Sequence, residues 1–293
     1  MGLKPYLQEI LEPSLLFGLF PSLLGIAAAR HFGIFNPYYA ALIVAGVAFS
    51  QIAVNLIDDY VDFTSGLDRE TVKTKFSGGS PLFTEGLVDP RSTLAIGLCF
   101  FAASVAIGAY FVLMHALLLP IVIIGGASVL FYARYLTKVP FLSEPLNSIN
   151  FALVGIGSFI AMGGRPTELG MIAFAAAASG LQVGAAAVVN YVPDRKADVK
   201  YGRKGGVVMI GSLKGAAAFY LAIEAAAVSS AALGVGLAGL PPIALAVVLA
   251  LPSAVGICTG IANFKDVGSY ERVMVRSRIT ELSIMLLMVI VFL

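Results

Sequence analysis

The chain has 293 residues, 59% of them hydrophobic and only 12% charged, with a mean hydropathy of +0.92. A water-soluble domain carries about 25% charged residues, so most of this chain's surface is read as facing something other than water. The formal net charge of +2 gives no reason to expect a nucleic-acid partner.

Apolar runs of about 20 residues are the signature of transmembrane helices. Nine such stretches follow one another, at roughly 14–32, 38–57, 92–112, 115–133, 146–164, 168–189, 214–236, 240–262 and 279–293. Ala and Gly dominate several of them, as in "AAAASGLQVGAAAVV" (175–189). Small residues let helices approach closely in lipid. The expected fold is therefore all-α and polytopic: nine transmembrane helices in one bundle, a single domain over 1–293. "AAAR" (27–30) is a poor cleavage site, so the first run is read as a span and not as a removable signal. Cys99 and Cys258 fall inside expected spans without metal-ligand company, so neither a disulfide framework nor a thiolate site is expected. His31 and His115 sit near span ends, as interfacial histidines do.

Basic residues in short loops mark the cytoplasmic side. The N-terminus and the connections after the even-numbered spans hold 17 of the 19 Lys and Arg; the opposite side holds Arg30 and Arg165. This predicts a multi-pass cell-membrane protein with the N-terminus and the long polar loops (59–91 and 190–213) in the cytoplasm and the C-terminus outside. The opposite connections are short, so any active site is expected on the cytoplasmic face.

The second span runs into "NLIDDYVDFTSGLDRE" (55–70). If the helix continues to Gly66, then Asn55, Asp58, Asp59 and Asp62 fall within an arc of about 100°. Carboxylates so close repel one another unless a cation sits among them, and oxygen ligands of this kind suit Mg²⁺. The cluster stands at a helix C-terminus, where the dipole opposes negative charge, which argues against an incidental acidic end. Gly66 terminates the helix, and Asp68 projects from the turn.

"NYVPDRKADVKYGRKGG" (190–206) follows the sixth span. Asn190, Asp194 and Asp198 share one helical face within about 80°, with Pro193 expected to kink or restart the helix. Alone, this pattern also fits a plain charged loop. Paired with the first cluster on the same side, it makes a receptor for a diphosphate: carboxylate-held Mg²⁺ bridges to phosphate oxygens, and Lys or Arg takes the remaining charge. Lys73, Lys75, Lys138, Arg203 and Lys204 are the basic candidates. A diphosphate site at the mouth of an apolar bundle suits a substrate with a greasy tail, such as a polyprenyl diphosphate. Its allylic cation would need aromatic faces; Tyr60, Phe63, Tyr132, Tyr135 and Phe151 are the candidates.

These residues resemble the UbiA superfamily of intramembrane aromatic prenyltransferases. The likeness rests on "NLIDDYVDFTSGLD" (55–68), "DRKADVKYGRKGG" (194–206), "YLTK" (135–138) and "GSPLFTEGLVDP" (79–90), and it covers nearly the whole chain. The shifted "DYxDxxxGxD" pattern is similar to the menaquinone branch, which prenylates 1,4-dihydroxy-2-naphthoate; Glu144 in "LSEPLNS" matches an acidic residue of that branch. "RKGGVVMIG" (203–211) departs from it, with Gly where Thr is common. The resemblance implies two Mg²⁺ ions, one with Asn55, Asp58, Asp59 and Asp62 and the other with Asn190, Asp194 and Asp198. It implies a diphosphate held by Lys73, Lys75, Lys138, Arg203 and Lys204. Asp68, Glu144 and Tyr135 become the catalytic candidates, the two acids for orienting or deprotonating the acceptor. The partners implied are a polyprenyl diphosphate such as geranylgeranyl diphosphate, an aromatic or lipid acceptor, and membrane lipids. Three other readings stand beside it: an ether-lipid synthase acting on geranylgeranylglyceryl phosphate, an ion-coupled transporter using the deeply placed Glu224, and a CDP-alcohol phosphotransferase, whose long Asp/Gly/Arg motif is absent. Acceptor, tail length and oligomeric state are not legible.

Overall fold

The computed structural model describes residues 3–11, 14–74 and 76–293, and among these there is no β-strand. In chain order the helices are α1 (Leu3–Ile10), α2 (Leu15–His31), α3 (Pro37–Ser65), α4 (Pro81–Thr84), α5 (Pro90–Met114), α6 (Leu119–Phe131), α7 (Ser143–Ala161), α8 (Leu169–Lys200), α9 (Gly206–Ile210), α10 (Leu213–Ala238), α11 (Leu251–Ala262) and α12 (Val267–Ile290). A 3-10 stretch, Pro242–Ala250, leads into α11. All nine apolar stretches coincide with helix. By length and composition five helical stretches can cross a bilayer: Pro37–Ser65, Pro90–Met114, Pro166–Lys200, Leu213–Ala238 and Pro242–Ala262; α1 and α2 together would make a sixth. The chain is thus an all-helical integral membrane protein.

Local chemistry sets the helix ends. Asn36 starts α3 by accepting the amides of Tyr38 (2.9 Å) and Tyr39 (3.3 Å), with Pro37 in the first turn. Gly66 ends it in the left-handed region, φ 87°. The 29 residues between extend roughly 44 Å, against a hydrocarbon core of about 30 Å. The helix is thus longer than the apolar layer is thick, and its acidic residues all lie in its C-terminal third. The 32-residue α8 is longer still.

Two expectations change. Pro193 does not restart the helix: α8 stays helical through Lys200; the proline's missing N–H costs one ladder bond, and the packing of α8 on α7, α10 and α12 holds the helix. The last helix starts at Val267, well before 279, because the Asp266 carboxylate accepts the Ser269 amide at 2.9 Å and caps it. Arg272, Arg276 and Arg278, expected in a loop, consequently lie on α12.

The centre of the bundle is α8, with 78% of its most apolar window buried. A helix surrounded by others must be apolar all round and slim where neighbours touch. A Cβ on Gly180 would stand 2.3 Å from the Ser148 carbonyl of α7, and one on Gly25 of α2 would stand 2.3 Å from the Gly155 carbonyl. These contacts set α2, α7 and α8 backbone to backbone, as the small-residue composition predicts.

Candidate active site

The C-terminal ends of α3 and α8 meet. The Tyr201 hydroxyl donates to the Gly66 carbonyl at 2.9 Å, and on the outer surface Lys200 pairs with Glu70 at 2.8 Å. Between these ties, Arg203 bridges the two acidic helices. Its Nη2 donates to both carboxylate oxygens of Asp62, to Oδ2 at 2.6 Å, and its Nη1 lies 3.7 Å from Asp198 Oδ1. Burial works against the guanidinium's charge, but the Asp62 and Asp198 carboxylates outweigh it and hold Arg203 protonated, above its ordinary pKa.

Asp58, Asp62, Asp68, Asp194 and Asp198 all lie within electrostatic reach of this guanidinium. The two sequence clusters, more than a hundred residues apart, thus form one acidic basin. Asp68 sits on a 3-10 turn (Leu67–Arg69), buried against Gly79, where a Cβ would fall 2.2 Å from Asp68 Oδ1. Burial first, and then the Asp62 charge, push the Asp68 carboxyl up to about 6, against the pull of Lys73 and Arg203.

The donor set fits a hard divalent cation. Asp58 Oδ1, Asp68 Oδ2, Asp194 Oδ1 and Asp198 Oδ1 are buried and have no hydrogen-bond partner among the described residues. No three carboxylate, imidazole or thiolate groups among those residues converge as a closed cage. Mg²⁺ commonly takes one or two carboxylates and fills its remaining positions with water and substrate phosphate, so an open basin suits it better than a cage would. Asn55 is engaged within the protein: its Oδ1 accepts from Gln51 (3.1 Å) and its Nδ2 donates to Ser14 (2.7 Å). Asp59 is half-buried on the same helix.

A cavity of about 500 Å³ opens at Asp58, on the edge of this basin, and runs into the bundle. Its polar end is lined by Asn55, Asp58, Tyr132, Asn147, Asn190 and Tyr191, its far end by Ile43, Phe111, Leu118 and Ala161. From Asp58 to Ile43 along α3 is roughly 22 Å. The Tyr132 hydroxyl meets the Tyr191 hydroxyl at 2.6 Å and accepts from Asn147 at 3.0 Å, fixing two phenol rings at the junction of the polar and apolar parts. A second cavity of about 360 Å³ opens one turn along α3, lined by Tyr60, Asp62, Arg134, Lys138, Tyr201 and Arg203.

The basic candidates separate. Arg203 and Lys138 line the second cavity. Lys73 donates to the Gly78 carbonyl of its own loop. Lys204 is exposed, and its backbone ties two loops together: its N–H donates to Thr137 O at 2.8 Å and its carbonyl accepts from Phe141 N at 2.9 Å. Lys75 lies outside the described residues.

None of the three catalytic candidates lines the long cavity. Asp68 belongs to the acidic basin. Tyr135 is 54% exposed, beside Phe131 and Arg134. Glu144 is fully buried, and its carboxylate accepts the amides of Gly206 (2.9 Å) and Val207 (3.3 Å). These bonds cap the start of α9 and hold the turn that carries Arg203. Phe63 packs on Phe83 and Arg69, away from the cavity, whereas Phe151 lines it.

Four cavity residues were missed: Gln51, Asn147, Asn150 and Tyr191. Their signal was present as polar groups on apolar helices. Gln51 lies one turn before Asn55, and Asn147 and Asn150 are three apart on α7.

Residues 18–266 match the model of the UbiA prenyltransferase family. Solved structures of similar fold include the apo structure of a UbiA homologue from Aeropyrum pernix K1, 22% identical, covering 94% of each chain, with a TM-score of 0.70. A structure of digeranylgeranylglyceryl phosphate synthase is 15% identical and covers 99% of this chain and 98% of that one, TM-score 0.67. A UbiA homologue from Archaeoglobus fulgidus bound to DMAPP and Mg²⁺ is 18% identical and covers 97% and 98%, TM-score 0.63. At these identities the likeness establishes the fold. No curated protein matches the chain.

Proposed function

The chain belongs to the UbiA prenyltransferase family, and from that premise we propose that it transfers a polyprenyl group from an allylic diphosphate to an aromatic quinone precursor within the membrane. The observation that carries this reading is the cavity that opens at Asp58, Asn55 and Asn190, beside the acidic basin, and continues as an apolar channel. A long isoprenoid diphosphate, charged at one end and greasy along its length, matches that profile.

In this reading Asn55, Asp58, Asp59 and Asp62 hold one Mg²⁺ and Asn190, Asp194 and Asp198 a second. Bound there, Mg²⁺ supplies positive charge to a departing diphosphate. Arg203, Lys138, Lys73, Lys75 and Lys204 are the cations for the phosphate oxygens, with Arg203 exchanging its carboxylate partners for phosphate. The allylic C–O bond breaks with its electron pair left on the diphosphate. The paired phenols of Tyr132 and Tyr191 and the ring of Phe151 face the resulting cation. A ring carbon of the acceptor forms the new C–C bond, and loss of a proton, or of CO₂ where that carbon bears a carboxylate, restores aromaticity. Glu144 positions the Arg203 turn, and Asp68 shapes the charge of the basin.

We place all nine helical stretches across the membrane as one domain over 1–293, with the basin and the N-terminus cytoplasmic and the C-terminus outside. The support is the distribution of basic residues: 14 of the 19 lie at the N-terminus or around the connections assigned to that side, besides the three on α12.

The deciding experiment offers purified protein geranylgeranyl diphosphate and Mg²⁺ with 1,4-dihydroxy-2-naphthoate, 4-hydroxybenzoate or geranylgeranylglyceryl phosphate, and reads products by mass. A decarboxylated prenyl naphthalenediol supports the menaquinone branch. Product from geranylgeranylglyceryl phosphate alone reassigns the acceptor to an ether lipid. Absence of product and of diphosphate release with every acceptor removes the proposal.

A further inference from the structure

On the face of α8 turned away from the catalytic cavity lies a second polar centre. Glu224 and Tyr220 of α10, Glu281 and Ser277 of α12 and Gln182 of α8 are each at most 2% exposed. Gln182 Nε2 donates to Glu224 Oε2 at 3.3 Å, and Ser277 donates to Glu281 Oε1. The Tyr220 hydroxyl lies beside both carboxylates, which are within electrostatic reach of each other. Four oxygens remain without a hydrogen-bond partner: Glu224 Oε1, Glu281 Oε2, Gln182 Oε1 and the Tyr220 hydroxyl. The Gln182 oxygen belongs to the amide that holds Glu224, so it ends beside that carboxylate.

Ionisable groups inside a helical bundle are costly, and where they persist they mark functional sites. The Gln182 amide and the Ser277 hydroxyl donate to the carboxylates, and the Tyr220 hydroxyl, a donor as well as an acceptor, stands beside Glu224. What remains is a set of oxygens from three helices. Arg278, one turn from Glu281, is within electrostatic reach of its carboxylate, while its guanidinium lies over Phe17, 4.5 Å from the ring centre, on the cavity side. Two carboxylates with one guanidinium nearby favour a singly charged cation, and the remaining groups are hard oxygens, which disfavour a soft metal ion.

We infer that Glu224, Glu281, Gln182 and Tyr220 form a buried alkali-cation site, with Na⁺ as the natural occupant, joining α8, α10 and α12. This site is separate from the diphosphate basin. Because α8 carries Asn190, Asp194 and Asp198 on its other end, occupancy would stiffen the helix on which half of that basin rests.

The test is thermal unfolding of the full-length protein in detergent at fixed pH and ionic strength, with NaCl exchanged against N-methyl-D-glucamine chloride, plus ²²Na⁺ binding displaced by unlabelled NaCl. The expected result is a Tm that rises and saturates with Na⁺, about one displaceable ²²Na⁺ per chain, and loss of both in Glu224→Gln and Glu281→Gln. Tyr220→Phe, which removes one oxygen only, raises the half-saturating Na⁺ concentration several-fold and keeps the inference testable if the glutamate variants fail to fold. Asp62→Asn, in the basin, leaves the Na⁺ response unchanged. Overturning results are a wild-type Tm indifferent to Na⁺ together with no displaceable ²²Na⁺, a response to CaCl₂ but not to NaCl, or an unaltered half-saturation in Tyr220→Phe.

Discussion

Arg203 and Asp62 are 141 residues apart in sequence, and the guanidinium of one grips both carboxylate oxygens of the other. With Asp198 3.7 Å away on the far side, Arg203 is the internal counter-ion of the acidic basin. The pair is about four-fifths buried on each side, so it outweighs a surface ion pair.

Removing Arg203 should therefore do two things. Arg203→Gln leaves Asp62 and Asp198 facing each other uncompensated, a loss of about 3 kcal/mol that thermal unfolding would show as a lower Tm. Added Mg²⁺ should raise the Tm of this variant more than that of the wild type, because the ion replaces the missing charge. Equal Mg²⁺ shifts in both proteins would separate Arg203 from the metal-binding acids. Arg203→Lys should not rescue, since an ammonium cannot span both oxygens and a second helix.

Asp62→Ala and Asp198→Ala should each abolish turnover while preserving helical circular dichroism and a monodisperse size-exclusion profile. Near-wild-type rates in either variant would contradict the reading in which both acidic helices serve one diphosphate.

The raised Asp68 carboxyl predicts a definite pH dependence. Its folded pKa, about 6, lies above its ordinary 3.8, so the folded state retains a proton that the unfolded chain has lost. The group's effect on stability is thus most favourable below about pH 4, declines as pH rises, and is fully unfavourable above about pH 6. Asp68→Asn should flatten the slope of Tm against pH between these limits. Gly79→Ala acts on the same contact: φ is +74° and the new Cβ would strike Asp68, so it should lower both Tm and rate. An unchanged slope in Asp68→Asn would show that Asp68 is not the group titrating there.

Glu144 offers a contrast between positioning and acceptor chemistry. Glu144→Ala strips two charge-assisted bonds from the amides of Gly206 and Val207, each about 1.5–3 kcal/mol, and should lower Tm sharply. Glu144→Gln keeps one acceptor oxygen and should recover part of both Tm and rate. Rates with different acceptors should fall in proportion if Glu144 acts through the Arg203 turn; selective loss with one acceptor would place it in the acceptor pocket.

The channel can be shortened without touching the basin. Gly125 lines it, and a Cβ there would meet nothing within 4 Å. Gly125→Phe should shift preference from long to short prenyl diphosphates by tenfold or more in kcat/KM. A ratio that does not move would place the tail elsewhere.

Much of this was legible from the chain alone. Hydropathy named the helices, since apolar runs of this length have no alternative in lipid but to satisfy their backbone internally. The Asn36–Pro37 start and the Gly66 stop set the bounds of α3, and the spacing of Asn55, Asp58 and Asp62 put them on one face. Local rules were less reliable where packing intervened. Pro193 reads as a break, yet α8 continues through it under neighbours on several sides. Nothing local in the sequence around Glu144 shows that its carboxylate accepts two backbone amides 62 and 63 residues away.

What the sequence determined by itself was periodic and local: which segments are helical, which faces are acidic, which side is basic. Which distant groups meet was settled by tertiary packing. Arg203 finds Asp62, Tyr132 finds Tyr191 across 59 residues, and Glu224, Glu281 and Gln182 close on one another behind α8. Helix periodicity fixes directions around one axis, but encounters between axes depend on how closely helices pack, here on glycines such as Gly25 and Gly180 whose contacts lie on other helices. No one-dimensional pattern encodes that distance, and the meeting of charges in a low-dielectric interior depends on it steeply.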